Sequence, residues 1–535
     1  MSAQAGATAL LTSLLSIGVR HAVLCPGSRS APLAYALREL EVQGSIALHV
    51  ETDERAAGFL ALGLGKASGV PAVVVTTSGS AVANLHPAVI EAYHSGVPLI
   101  ALTADRPAWM RGSGANQTTD QVGLLGPGLV GEIDVSADDI AGQPQHLAGL
   151  LDVVWRGPVH INVSFDVPLT PDTPSFPDRP PIGQFTVPSH EWEPEHLDSR
   201  PTVIVAGPGT PHAELLHRTG RGSVPILAEP AAGERSLPGA IPAARLVAGL
   251  FADEIERVII VGHPTLSRPI TALMSRSDIE VISVRTEPVP TDPGRVARVL
   301  DMMPSLEPQG DWLAAWQRAG DAAYVAGRDA LGDDLDALTA SAVIADAEGD
   351  WFLGASNIVR DVDLLAGYPQ ARFHASRGLA GIDGTIATAR GMAGVLNGMK
   401  AALGDLTFVH DLGSLVRTRG QDEPPIDVVV LDDGGGGIFA TLEHGAKRYE
   451  STFDRVFRTA KDIDIVAAAK AFGWEGMTVG SLDDLESVLR EPPAGRVIRV
   501  ACERPVEHVR ARRDQLASAM LDAAAASVSK SSGNM

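Results

Sequence analysis

Gly404-Asp405-Leu406 opens, and Val428-Val429-Val430-Leu431-Asp432-Asp433-Gly434-Gly435-Gly436-Gly437-Ile438-Phe439 closes, the stretch from which the fold can be argued. The β-branched run 426–431 reads as a buried parallel strand, and Asp433 leaves its carboxyl end. Asp405 reads as following a helix-like segment and preceding a short apolar strand at 407–410. If these strands are parallel neighbours, both carboxylates reach one sheet edge, where open α/β sheets bind their ligands. The glycines there leave backbone amides and carbonyls unobstructed for a phosphate. Hard oxygen donors beside a diphosphate suit Mg²⁺. Read without its spacing, the run serves equally well as a glycine-rich surface turn with two solvated aspartates.

A chain of 535 residues is too long for one core and fits about two to four domains. No apolar run reaches the ~18 residues of a membrane span. Residues 1–21 read as an amphipathic helix leading into a strand, without the charged start and cleavage site of a signal peptide. A cytoplasmic protein is expected. Cys25 and Cys502 are the only cysteines, too few for a disulfide framework. Cys25, before Pro26-Gly27, reads as a buried structural thiol rather than a nucleophile. The net charge of −22 argues against nucleic acid or an anionic membrane as the main partner. An acidic small substrate must then be met by locally placed arginines.

Along the chain, short apolar runs at 22–24, 46–50, 72–76, 99–103 and 159–163 alternate with helical stretches, the pattern of βαβ units and a parallel sheet. Residues 168–201 are rich in proline, including Arg179-Pro180-Pro181, and read as a linker. A second α/β pattern follows, with strands at 202–206, 226–228, 258–261 and 281–284, ending near residue 300. Residues 303–310 read as a connector and 312–365 as helical. A third α/β region holds the 404–439 stretch and closes with a strand at 497–500 and a helix to residue 520. The Ala/Ser-rich tail 523–535 shows no apolar period and reads as disordered. The expected fold is three α/β domains with parallel sheets: 1–167, 202–302 and 350–522, with 303–349 as connector and helices.

A Gly-Asp pair followed 28 residues later by an acid or amide that opens a glycine turn resembles the diphosphate-binding signature of thiamine-diphosphate enzymes. In that family the second ligand is usually Asn. Asp433 keeps the oxygen donor and adds a charge. Thr52-Asp53-Glu54-Arg55 alone reads as a helix start, with Thr52 as N-cap and acids in the first turn. In the family, a glutamate after the second strand of the first domain contacts the aminopyrimidine ring of the cofactor, and Glu54 occupies that place. Further motifs narrow the resemblance: Cys25-Pro26-Gly27-Ser28-Arg29-Ser30, Asp53-Glu54-Arg55-Ala56-Ala57-Gly58 and Thr77-Ser78-Gly79-Ser80-Ala81-Val82-Ala83-Asn84. Gly114-Ala115-Asn116-Gln117 and Ser376-Arg377-Gly378-Leu379-Ala380-Gly381-Ile382-Asp383-Gly384 belong to the same set. They are similar to the branch of the family that joins 2-oxoglutarate to isochorismate in menaquinone biosynthesis.

The resemblance implies a pyrimidine-binding domain, a central domain and a diphosphate-binding domain, with the cofactor between subunits of a homodimer or homotetramer. It implies Glu54 as the catalytic carboxyl group, and Asp405, Asp433 and the Gly435 carbonyl as ligands of Mg²⁺ or Mn²⁺. Thiamine diphosphate would also touch Ser78, Gly79, Gly404, Leu406 and Gly436, with Ile382 supporting its bent form and Ile438 and Phe439 lining the thiazolium side. Both substrates are dicarboxylates, and arginine forks bind carboxylates at two points. The implied set is Arg29, Arg268, Arg360 and Arg377, with Ser28, Asn116, Gln117 and Ser356 as polar partners. Any one of these arginines alone could be a surface ion-pair former. Arg29 and Arg377 lie in glycine-containing turns, and Arg360 shares a helix face with Ser356. Some family members carry lysine where this chain has Ser267, before Arg268.

Two other readings compete. Another thiamine-diphosphate carboligase would leave the arginine set without a rationale, and a catalytically silent homologue would not need Glu54 and Asp405. A P-loop reading fails because Gly63-Leu64-Gly65-Lys66-Ala67 lacks the leading glycine and the Ser/Thr after lysine.

Overall fold

The structure is a computed structural model, and it describes residues 3–172, 180–187, 193–219 and 223–532. The first region opens with α1 (Ala3–Ser16) and β1 (His21–Leu24), then α2 (Ala31–Val42), β2 (Ala47–Val50), α3 (Glu54–Ser68), β3 (Ala72–Thr76), α4 (His86–His94), β4 (Leu99–Asp105), β5 (Gly131–Ser136) and β6 (Val159–Ser164). Its strands form one parallel sheet in the order β2-β1-β3-β4-β6-β5. The central region contributes β7 (Thr202–Ala206), β8 (Ile226–Ala228), β9 (Arg257–Val261), α5 (Arg268–Met274), β10 (Glu280–Val284) and β11 (Arg298–Leu300). These strands lie in the order β11-β10-β9-β7-β8. Next come α6 (Gly310–Asp329), α7 (Ala337–Ala345), β12 (Asp350–Leu353), α8 (Asn357–Leu365), β13 (Arg372–His374) and α9 (Thr385–Leu396). The chain continues through β14 (Met399–Gly404), α10 (Asp405–His410), β15 (Ile426–Asp432), β16 (Glu475–Val479), β17 (Arg496–Ala501) and α11 (Val506–Ser532). The third sheet is ordered β13-β12-β14-β15-β17-β16. All three sheets are parallel, as expected from the sequence.

The chain packs as two compact units. One comprises Met1–His190, Gly378–Gly398 and Asp411–Pro425, and holds the first sheet together with α9. The other comprises Glu191–Arg377, Met399–His410 and Ile426–Met535, and holds the second and third sheets. In the first unit, α1, α2 and one face of the sheet enclose Leu10, Leu14, Leu37, Val73 and Ile161. The other face is covered by α3 and α4, with Phe59, Leu64, Val89 and Leu99 at the centre. In the second unit Trp316 and Phe251 stack at 4.4 Å inside one core, and Trp351, Leu353 and Ile498 anchor another.

Three expectations need correction. The strand next to Asp405 precedes it, and 407–410 is helical, within α10. Met399-Lys400-Ala401-Ala402-Leu403 has good helix formers, but burial between β12 and β15 decides for a strand. The 312–365 stretch is not all helix, because β12 interrupts it. The tail is not disordered as far as Ser532, since α11 runs through it. Leu516, Met520 and Ala524 are buried there with Val528 packed beside them, a stripe of four-residue spacing against α6. Residues 533–535 of the tail, and 173–179 and 188–192 of the linker, lie outside the described residues. The remainder of the linker that is described, 168–172, 180–187 and 193–201, carries no helix or strand, only an isolated bridge at His196. Among the described residues no helix is long and apolar enough to cross a membrane.

Candidate active site

In the second unit, β14 and β15 run parallel with Gly404 opposite Leu431, so Asp405 and Asp433 leave the sheet at one edge. Asp432, next to Asp433, pairs with Arg499 at 2.6 Å. Asp405 is buried and its carboxyl accepts the amide of Leu406 at 2.7 Å and that of Gly435. This joins the end of β14 to the glycine turn. Burial, then the field of Asp432, pushes Asp405 up to about 6. Burial, then the field of Asp405, pushes Asp433 up to about 7. Arg513, the arginine that most opposes this rise at Asp433, is held by Asp361 at 2.6 Å. Two desolvated carboxyl groups at one sheet edge, Asp433 raised further by the charge of Asp405 and Asp405 by that of Asp432, make a donor set that a hard divalent cation would relieve.

The turn itself explains its glycines. Gly434, Gly435 and Gly436 have φ of 81°, 88° and 50°, the left-handed region that only glycine adopts freely. A Cβ on Gly435 would meet the Arg458 carbonyl at 2.6 Å, and one on Gly436 the Phe457 carbonyl at 2.3 Å. Gly437 leaves room for the Asp433 carboxyl, since a Cβ there would fall 2.0 Å from its Oδ2. Ile438 and Phe439 follow in a short helix, Gly437–Ala440. The Phe439 ring lies 5.6 Å from Phe457.

Ser356 stands at the start of α8, and a Cβ on Gly404 would lie 4.0 Å from its hydroxyl. One turn on, Arg360 donates to the Ser356 carbonyl at 3.0 Å. Burial lowers its pKa, with Arg377 and Arg245 as the next causes, so like charges are gathered here. Arg377 is only 4% exposed and donates through Nη2 to the hydroxyl and carbonyl of Thr265, at 3.1 and 3.3 Å. Its Nε, and the hydroxyl of neighbouring Ser376, are buried without a hydrogen-bond partner. Unsatisfied buried donors of this kind fit an anionic ligand. Arg268 is placed differently: it is 77% exposed and pairs with Glu443 at 2.7 Å.

In the first unit the expected residues collect at the carboxyl edge of the first sheet. Ser28 and Arg29 follow β1, Glu54 follows β2, Ser78 and Gly79 follow β3, and Asn116 and Gln117 lie in the loop after β4. Glu54 is the first residue of α3 and is partly exposed. The N-cap is Asp53 rather than Thr52: the Asp53 carboxyl accepts the amides of Arg55 and Ala56 at 2.9 and 3.4 Å. Gln117 and Ser78 are tied by two reciprocal hydrogen bonds, of 2.9 and 3.0 Å. The Gly79 amide donates to Gln121 at 2.9 Å. Arg29 is buried and donates to the Phe165 carbonyl at 2.7 Å, while its Nε has no partner. Ile382 precedes α9 in the same unit, its carbonyl accepting the Thr385 hydroxyl at 3.1 Å.

Sequence reading missed Arg106. It follows β4 directly, donates to the Asn116 carbonyl at 3.0 Å and depresses Arg29 by like charge. Its place just past a strand's carboxyl end was the available signal.

The model for the thiamine pyrophosphate enzyme N-terminal TPP-binding domain matches residues 4–124, and that for the C-terminal TPP-binding domain matches residues 361–498. A curated relative from Renibacterium salmoninarum, a 2-succinyl-5-enolpyruvyl-6-hydroxy-3-cyclohexene-1-carboxylate synthase, is 42% identical over 92% of this chain and 93% of its own. The synthase of that name from Kineococcus radiotolerans is 41% identical over 97% and 99%. That from Rhodococcus jostii is 37% identical over 93% and 95%. The chain belongs to this synthase family. The two thiamine-pyrophosphate matches span the two sheet edges just described: the first includes Arg29, Glu54, Ser78 and Gln117, the second Arg377, Asp405 and the glycine turn. Neither of these two models covers residues 125–360, which hold the central sheet together with β5, β6 and β12.

Proposed function

We propose that this chain is a transferase of menaquinone biosynthesis that decarboxylates 2-oxoglutarate and adds the resulting succinyl unit to isochorismate by 1,4-addition, giving the product for which its relatives are named. The observation that carries the reading is that Arg29, Arg106 and Arg377 each keep a buried Nε without a hydrogen-bond partner, at strand ends that also carry Glu54 and Asp405. Dicarboxylates need such partners, because a buried carboxylate without one is costly.

Asp405, Asp433 and the Gly435 carbonyl would hold Mg²⁺ or Mn²⁺, and through it the cofactor's diphosphate. Gly404, Leu406 and Gly436 contribute backbone beside it, and Ser78, Gly79, Ile382, Ile438 and Phe439 line the rest of the cofactor. Thiamine diphosphate, when bound, supplies the electron sink for decarboxylation and carbon–carbon bond formation. Glu54 holds a proton at the aminopyrimidine ring. Arg29, Arg106, Arg360 and Arg377 bind and orient substrate carboxylates, with Ser28, Asn116, Gln117 and Ser356 as hydrogen-bonding partners. Arg268 would take part by exchanging Glu443 for a substrate. By family resemblance the active form is a homodimer or homotetramer, and the two free, buried cysteines accord with a cytoplasmic setting.

The test is the loss of isochorismate absorbance with purified protein, 2-oxoglutarate, Mg²⁺ and thiamine diphosphate, omitting each in turn. Loss requiring all components supports the reading. Decarboxylation of 2-oxoglutarate with isochorismate untouched would leave the cofactor chemistry and overturn the acceptor.

A further inference from the structure

Beneath Arg377 lies a carboxyl group that the proposed chemistry does not use. Glu229 directly follows β8, at the carboxyl edge of the central sheet, and is 8% exposed. Its Oε1 accepts the Leu266 amide at 2.6 Å, and the Thr265 amide also donates to the carboxyl group. Two successive amides on one carboxyl fix the path of the loop through Thr265 and Leu266. That loop is the seat of Arg377: both oxygens of Thr265 accept its Nη2, and the Thr265 hydroxyl returns a 3.4 Å bond to the Arg377 carbonyl. Two residues beyond Leu266, the same loop starts α5 at Arg268.

Burial drives Glu229 up to about 7, against the pull of Arg377. An acid in so dry a place is unfavourable compared with a well-packed apolar side chain. Packing alone gives no reason for it. What the carboxyl group does that an apolar residue could not is hold two amides, and through them the orientation that leaves the Arg377 Nε unengaged.

We infer that Glu229 is a positioning residue for the substrate-binding Arg377, acting through the Leu266 and Thr265 amides and the Thr265 hydroxyl. This rests on the reaction proposed above. Through Glu229 the central domain thereby takes part in substrate recognition by a residue that does not itself touch substrate.

The experiment measures KM and kcat for 2-oxoglutarate and for isochorismate separately, with thiamine diphosphate affinity and thermal unfolding alongside. The proteins are the wild-type holoenzyme, Glu229→Gln, Glu229→Leu and Thr265→Val. Glutamine keeps an oxygen acceptor for the amides, leucine removes it, and valine removes the hydroxyl from Arg377 at constant shape. The expected result is a KM at least tenfold higher for one dicarboxylate, and not the other, in Glu229→Leu and Thr265→Val. Cofactor affinity stays unchanged and glutamine restores most of the loss. Calorimetric titration with 2-oxoglutarate checks binding without turnover if that is the affected substrate. Unchanged KM values in Thr265→Val, or equal losses for both substrates together with weakened cofactor binding, would overturn the inference. If Glu229→Leu does not fold, Thr265→Val and Glu229→Gln decide it. A wild-type protein that turns over neither substrate would overturn the proposed reaction instead, which separates the two failures.

Discussion

Gly63 and Gly391 lie against each other where α3 crosses α9. A Cβ on Gly391 would stand 3.1 Å from the Gly63 Cα and 2.2 Å from the Leu60 carbonyl oxygen, and one on Gly63 would stand 2.1 Å from the Thr388 carbonyl oxygen. Backbone, not a flexible side chain, occupies the space, so neither glycine can accept a methyl group without separating the helices. Gly63→Ala and Gly391→Ala are each expected to destabilise the protein by about 1–3 kcal/mol, the range of overpacked cores. Activity should fall as well, because α3 carries Glu54 at its start. Gly149→Ala, in a helical turn with open space around it, is the control and should be at least as stable as the wild type in a denaturant titration.

Glu54 can be changed without disturbing the helix it begins, since Asp53 supplies the cap. Glu54→Gln should therefore fold normally and bind thiamine diphosphate with Mg²⁺, as read by calorimetry. Its turnover should drop roughly 10² to 10⁴-fold, the scale of a lost general acid or base. Near-normal turnover would remove Glu54 from the catalytic role.

Burial first, and then the charge of Asp405, oppose ionisation of Asp433. Asp433→Asn keeps the oxygen donor and relieves the repulsion. The cofactor-free variant should be more stable than the wild type in thermal unfolding at pH 8, while Mg²⁺-dependent cofactor binding persists. Asp405→Asn removes the carboxylate that also organises the turn through the Gly435 amide, and should weaken cofactor binding at least tenfold. Equal losses in both variants would contradict this division of labour.

Glu287, in the loop after β10, is 5% exposed, and burial pushes it up to about 7 from an ordinary 4.5. A carboxyl group whose folded pKa is raised contributes stability that is present below pH 4.5 and is lost as pH rises through 7. The span corresponds to about 3 kcal/mol. Glu287→Gln does not titrate, so its advantage over the wild type should grow between pH 5 and 8 in denaturant titrations. A pH-independent difference would show that the group is already ionised in the folded chain.

Which parts were legible in the sequence follows from burial. Strands β3, β4, β7 and β9 are buried along their whole length and read as mostly apolar runs, although β4 also carries Thr103 and Asp105 and β9 begins at Arg257. β5 alternates Glu132 and Asp134 with Ile133 and Val135 at a sheet edge, and edge strands β11, β13 and β16 are short or polar. None of these carries the apolar run that marks a central strand. Most of the residues expected at the site stand out in the sequence because they sit in motif-bearing turns at strand ends, while Arg268 and Arg360 lie on helices. Arg106 and Glu229 sit at strand ends too, but outside any glycine-marked turn, and only the fold shows what they touch.

The end of the chain gives the sharpest test of such a misreading. Ala523-Ala524-Ala525-Ala526-Ser527 looks featureless because its buried face is made of small side chains. Yet Ala524 is fully buried, and Val528 packs onto the cluster that holds Leu516, Met520, Trp316 and Ala323. Gly327 of α6 makes room for Met520, whose sulfur would lie 2.8 Å from a Cβ at that position. Truncation after Asp522 removes one fully and one partly buried apolar side chain and the last turns of α11. At about 25 cal/mol per Å² of apolar surface this amounts to about 1–3 kcal/mol. The truncated chain should unfold at correspondingly lower denaturant than the full chain. If truncation after Asp522 leaves the midpoint unchanged, the four-residue stripe contributes no packing energy beyond Met520 and α11 is anchored by its first half alone.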